Sequence, residues 1–182
     1  MKDLSLHILD LVENAIAAKA TKIEILIQEE PKEDRLVIEI KDDGMGMDQE
    51  VSQKATDPFF TTRSSRRVGL GLSLMAQAAQ EAGGSFRIES TLGKGTKVTA
   101  TFQYHHIDRK PLGSMVETMM TLLMGNPELD ILYTHQKEGK SYVLRSSWLK
   151  NRFKDRPLVD PEVIQWMKTH LKEGLKQIGV QG

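Results

Sequence analysis

From Leu4 to Ala18 the apolar residues Leu4, Ile8, Leu11, Ala15 and Ala18 recur at helical spacing, which predicts a first helix with one face on a core. Asp3, His7, Asp10 and Asn14 recur at the same spacing as an adjoining polar stripe, either a solvated face or the wall of a site. Ile23, Ile25 and Ile27 then alternate, as do Leu36, Ile38 and Ile40, around a polar stretch containing Pro31. This is a strand, a loop and a returning strand. The second strand runs into Asp42-Asp43-Gly44-Met45-Gly46-Met47, whose glycines permit sharp turns and close backbone approach. Leu72, Met75, Ala76, Ala79 and Ala82 line another helix, stopped at Gly83-Gly84. Phe86 and Ile88, then Val98, Ala100 and Phe102, flank the turn Leu92 to Gly95 as a second hairpin. The order of elements predicts an α+β fold, a two-layer α/β sandwich with an antiparallel-rich sheet and helices on one face.

Beyond Tyr104 the pattern changes. His105 to Gly113 reads as a connector, and Ser114-x-x-Glu117 is a capping box opening the Met-rich run Met115 to Met124. Ile131 to Tyr133 and Tyr142 to Leu144 form a hairpin turning at Glu138-Gly139, and Asp160-Pro161 starts a last helix. Residues 1–104 are expected to form one domain and 105–182 a small α/β module. The apolar helix faces of that module are expected to pack back on the first domain, to form a homodimer or to hold a partner.

Composition narrows the function classes. Lys+Arg 25 against Asp+Glu 25 leaves no net charge, so the overall attraction a nucleic-acid binder relies on is absent. The lack of cysteine removes disulfides and thiolate sites. No apolar run approaches the ~20 residues of a membrane span, and a cytoplasmic location is expected.

The chemistry concentrates between Asp57 and Ser73, where a Pro-Phe-Phe turn leads through an Arg-rich loop to Gly69-Leu70-Gly71-Leu72-Ser73 at the start of a helix. The lysine-bearing phosphate loop is missing, and the glycine pair lacks the third glycine and βαβ context of a dinucleotide site. The combination of Asp10 and Asn14 on the first helix, Asp42 with Gly44 and Gly46, Asp57-Pro58-Phe59-Phe60-Thr61-Thr62-Arg63, Gly69 to Ser73, and Gly93-Lys94-Gly95-Thr96 resembles the ATP-binding domain of the GHKL superfamily. That superfamily includes gyrase, Hsp90, sensor histidine kinases and MutL. The resemblance covers about residues 4 to 104; its central part looks most like histidine kinases and its first helix like MutL.

The resemblance implies ATP and Mg²⁺ as ligands. Asn14 would bind Mg²⁺, Asp42 would accept the adenine amino hydrogen, and Thr96 would lie near the base. Gly44 and Gly46 would bring backbone to the base; Gly69, Leu70, Gly71 and Leu72 would bring amides and a helix start to the phosphates. Thr61 to Val68 becomes a lid in which Arg63, Arg66 or Arg67 reaches the phosphates. Phe59 and Phe60 are expected to pack under that loop, Asp43 to be an exposed turn residue, and His7 to be a polar neighbour of the site. Asp10 stands where family members that hydrolyse ATP carry a glutamate, and its shorter side chain predicts slow turnover.

Only nine residues precede Asp10, so a phosphoacceptor-histidine module is expected to be absent. The leading expectation is a phosphotransferase acting on a separate protein. A slow ATPase or ATP-driven switch, and a nucleotide-binding module without turnover, are the alternatives.

Overall fold

In the computed structural model, residues 2–57, 59 and 70–181 are described. A helix α1 (Leu4–Ala17) is followed by strands β1 (Lys22–Glu30) and β2 (Arg35–Asp42), joined through a short 3₁₀ turn at Pro31–Glu33. Then come α2 (Gln49–Lys54), α3 (Leu70–Glu81), β3 (Ser85–Thr91) and β4 (Gly95–Gln103). The rest comprises α4 (Met115–Gly125), β5 (Asp130–Lys137), β6 (Lys140–Arg145), α5 (Ser146–Arg152) and α6 (Pro161–Gln177).

The six strands form one sheet in the order β3-β4-β2-β1-β5-β6. Every neighbouring pair is antiparallel except β1 and β5, which run parallel with Ile25 opposite Tyr133. The alternation seen in the sequence is the alternation of burial: Ile23, Ile25, Ile27, Leu36, Ile38 and Ile40 are buried, while Glu24, Leu26 and Gln28 remain partly open. The buried face packs on α1, α3, α4 and α6 in one continuous apolar cluster that runs from Leu4 to Val180. Residues 105–182 therefore add two strands to the same sheet and side chains such as Met119, Tyr133, Leu171 and Leu175 to the same core.

Helix starts follow their caps. Asp3 accepts from the Leu6 amide, Ser114 from Glu117, and Asp160 from Glu162 and Val163 ahead of Pro161. Helix α3 is already helical at Leu70, two residues before the start expected from the apolar pattern, so Gly71 lies inside its first turn. The connector 105–113 is strapped to the start of α1, with the Leu4 amide donating to the Pro111 carbonyl (2.9 Å) and the Ser5 amide to Leu112 (2.8 Å).

Candidate functional site

Helix α1 carries the site along its length. Asp10 and Asn14 are one turn apart on it and half-buried. Opposite them stands Gly71: a Cβ there would come within 3.2 Å of the Asp10 Cβ and 3.3 Å of the Asn14 Nδ2. A glycine therefore lets the first turn of α3 close on α1, bringing the positive end of the helix dipole to these two side chains. Among the described residues, neither the Asp10 carboxylate nor the Asn14 amide makes a hydrogen bond to protein. Burial raises the Asp10 pKa above the usual carboxylate range, and the neighbouring Glu13 charge adds to it. Glu13 itself is exposed, as its helix angle requires.

One turn beyond Asn14, the end of α1 meets the loop after β2. The Met45 amide donates to the Ala18 carbonyl (2.8 Å), and the Gly44 amide to Asp42 Oδ1 (2.8 Å). Asp42 is half-buried, and burial outweighs the Gly44 and Thr96 amides to raise its pKa. The loop is interlocked with the β3–β4 turn: Gly93 N donates to the Met45 carbonyl (2.6 Å), and Met47 N to Ser90 Oγ (2.8 Å), which also meets Thr96 Oγ1 (2.8 Å). A Cβ on Gly44 would lie 2.7 Å from the Ala18 carbonyl oxygen, and one on Gly46 would lie 2.1 Å from that of Thr91. The close approach these glycines permit is therefore to this chain's own backbone. A shallow cleft of about 470 Å³ adjoins this loop between α2 and β3, lined by Met47, Ser52, Ile88 and Leu92 among others.

Of the remaining expectations, two are sharpened, one is corrected and one falls outside the described residues. Asp43 is exposed but is more than a turn residue: its Oδ1 accepts from the Thr21 and Lys22 amides (2.7 and 2.9 Å) and its Oδ2 from the Thr21 hydroxyl (2.6 Å). These bonds clamp the end of β2 to the entry of β1. His7, one turn before Asp10, is fully buried under the connector. Its Nε2 lies 3.4 Å from Lys110 Nζ, its Nδ1 has no partner among the described residues, and burial, followed by the Lys110 charge, lowers its pKa to about 4. Phe59 is 94 % exposed and does not pack. Arg63, Arg66, Arg67, Gly69, Phe60 and the expected lid Thr61 to Val68 lie outside the described residues.

Other polar groups are organised without belonging to this site. His105 meets the Pro31 carbonyl (3.1 Å), and no cluster of three metal-ligating side chains occurs among the described residues. At the opposite end of β1, Glu29 accepts from Tyr104 (2.9 Å) and pairs with His135 (2.7 Å), whose other nitrogen meets Tyr133 (2.7 Å). This buried network escaped the sequence reading, although a glutamate in phase with Ile23, Ile25 and Ile27 was its signal.

The family model for histidine kinase-, DNA gyrase B- and HSP90-like ATPases matches residues 2–106. A putative sensor protein of Shewanella frigidimarina is 37% identical over 97 residues, 52% of this chain and 15% of that protein. The sensor kinase CckA of Brucella abortus is 37% identical over 84 residues, 46% of this chain and 9% of the relative. The matched part thus spans a small fraction of these relatives' length. Among solved structures, the Aquifex aeolicus MutL ATPase domain complexed with ADP aligns with a TM-score of 0.51 at 22% identity, covering 85% of this chain and 68% of that one. The N-terminal domain of a DNA repair protein aligns at 0.54 and 17% identity, covering 80% and 53%. Both show a shared fold.

Proposed function

Because the chain belongs to the histidine kinase-, DNA gyrase B- and HSP90-like ATPase family, we propose that it binds Mg-ATP along α1 and hydrolyses it slowly with Asp10 as the base. The observation that carries this reading is the pairing of Asp10 and Asn14, free of protein hydrogen bonds among the described residues, with the first turn of α3 at Gly71. From Asp10 to Ala18 the helix rises ~12 Å at ~1.5 Å per residue, which suits an elongated ligand lying between α3 and the Asp42 loop.

In this reading Asp42 accepts the adenine amino hydrogen, beside Thr96, and the amides of Leu70, Gly71 and Leu72 face the phosphates. Gly69 and Arg63 would add a further amide and a guanidinium. Gly44 and Gly46 act by holding the base-side loop against Ala18 and Thr91. A single amide oxygen, from Asn14, fits Mg²⁺ whose other positions are taken by phosphate and water. That ion would neutralise phosphate charge, while Asp10 takes the proton of the attacking water. The raised pKa of Asp10 makes it a better base than an exposed aspartate, which supports the assignment. We assign nucleotide binding to residues 1–104 and a buttressing role to 105–182.

Calorimetry with Mg-ATP together with phosphate release tests this. Asp10→Asn should keep ATP affinity within about threefold and reduce turnover on the order of 100-fold, the scale of a lost general base. Unchanged turnover removes Asp10 from the chemistry, and loss of binding by Asp10→Asn moves it to the ligand shell. A second reading, phosphotransfer to a separate protein, is favoured by relatives named as a sensor kinase and a sporulation kinase. It predicts that γ-labelled ATP marks a protein in extract; labelled inorganic phosphate alone supports hydrolysis.

A further inference from the structure

Far from Asp10 in sequence, α5 and the first half of α6 build a layer of aromatic rings. Trp148 lies near-parallel to His170 (centroids 5.6 Å), and His170 stacks on Trp166 (4.8 Å, 12°), which Phe153 meets edge-on (5.1 Å). The Arg152 guanidinium lies over Trp166 at 4.6 Å and within 6 Å of the Trp148 and Phe153 rings (5.8 and 5.7 Å). Trp148 is 44% exposed.

The charge around this layer is one-sided. Residues 145–156 hold five cations and one carboxylate, in a chain with no net charge. Arg156 is taken by Asp160 and Glu162, and Lys150 by the Leu129 carbonyl. Among the described residues, no carboxylate lies within ion-pair distance of Arg145, Arg152 or Lys154. Arg152 is thus a flat cation, already oriented by ring faces and without a counter-ion among the described residues. Such a guanidinium loses little further freedom when it pairs with a carboxylate in bidentate fashion. An exposed tryptophan beside it is the composition that dominates binding at protein interfaces.

We propose that the α5–α6 aromatic layer is a docking surface for an acidic peptide segment of a partner protein, with a carboxylate on Arg152 and a neighbouring apolar side chain on Trp148. A nucleic acid fits less well. Trp166 already stacks on His170 and carries the Arg152 guanidinium, which leaves less of its ring for base stacking.

The chain's two tryptophans, Trp148 and Trp166, are both in this layer, so tryptophan fluorescence, excited beyond the tyrosine band, reports on it. The full chain is titrated with a synthetic peptide of alternating glutamate and leucine, with its lysine–leucine counterpart and with a thymidine oligonucleotide. The expected result is a saturable change with the acidic peptide only, weakening as salt is raised. Arg152→Glu should weaken it at least tenfold and Arg152→Lys less, with Mg-ATP affinity unchanged in both. Circular dichroism checks that the variants are folded, and Lys154→Glu, expected to weaken binding severalfold, serves if Arg152→Glu is not. No saturable response up to millimolar acidic peptide, or equal affinity in folded charge-reversed variants, overturns the proposal. A response to the oligonucleotide in place of the acidic peptide reassigns the surface to nucleic acid and also overturns it.

Discussion

His7 allows a quantitative test of how the connector shapes α1. In an unfolded chain its imidazole takes a proton near its ordinary pKa of 6.5, whereas in the fold burial and the Lys110 charge lower that pKa to about 4. Between these values the unfolded chain binds more protons than the folded one. Stability is therefore fully present above pH 6.5 and falls as the pH drops from 6.5 toward 4. At about 1.4 kcal/mol per pKa unit the full shift is worth about 3 kcal/mol, of which ~2 kcal/mol is lost by about pH 5. Urea unfolding of the wild-type chain and of His7→Gln, at about pH 7.5 and pH 5, isolates this contribution, because the other groups cancel in the difference. The wild type should lose ~2 kcal/mol more than the variant across that interval. The charges acting on His7 are Lys110 and the N-terminal amine, which lower its pKa, and Asp3, which raises it, so Lys110→Met should move the titration upward. A pH-independent difference between the two proteins, or a His7 proton resonance titrating near 6.5, would refute the reasoning.

Five further substitutions probe the ends of the sheet. Gly95→Ala would place a Cβ 2.0 Å from the Asp42 carbonyl oxygen at φ +96°, whereas Gly93→Ala at φ +78° meets open space. Unfolding free energies from urea titration should fall by at least about 2 kcal/mol for the first and about 1 kcal/mol for the second, since both carry the left-handed strain but only one the clash. At Glu29, burial works to raise the pKa, yet hydrogen bonds from His135 and Tyr104 and the charges of His135 and Lys137 hold it below its ordinary 4.5. The resulting stability is present above pH 4.5 and lost as the pH falls through the depressed value, so Glu29→Gln should flatten the acid-unfolding limb seen by circular dichroism. Asp43→Ala removes three hydrogen bonds at an exposed clamp where water can substitute. It should cost about 1 kcal/mol and leave ATP affinity intact, whereas Asp42→Ala should abolish binding in calorimetry.

Local patterning determined most of the elements of this protein. Period-two runs such as Ile23 to Ile27 can bury one face only as strands, and the Ser114 and Asp160 caps mark helix starts whatever packs around them. The family was legible too, because its signature residues sit on short segments whose order survives in one dimension. Helices α2 and α5, of 6 and 7 residues, were not, since neither spans enough turns to show a period.

Tertiary structure decided the rest. The parallel pairing of β5 with β1 joins segments separated by nearly the whole first half of the fold, and no local feature names that partner. The stripe Asp3, His7, Asp10, Asn14 is uniform in sequence, but the connector covers His7 while Gly71 brings α3 to Asp10 and Asn14. Asp42 and Asp43 are identical neighbours, yet strand geometry sends one to the Gly44 and Thr96 amides and the other to Thr21 and Lys22. Arg152 owes its orientation to rings brought from α5 and α6 together. Residue type and spacing set what each side chain can do; which partner it meets depends on contacts between segments distant in the chain, and those exist only once the sheet and its helices have packed.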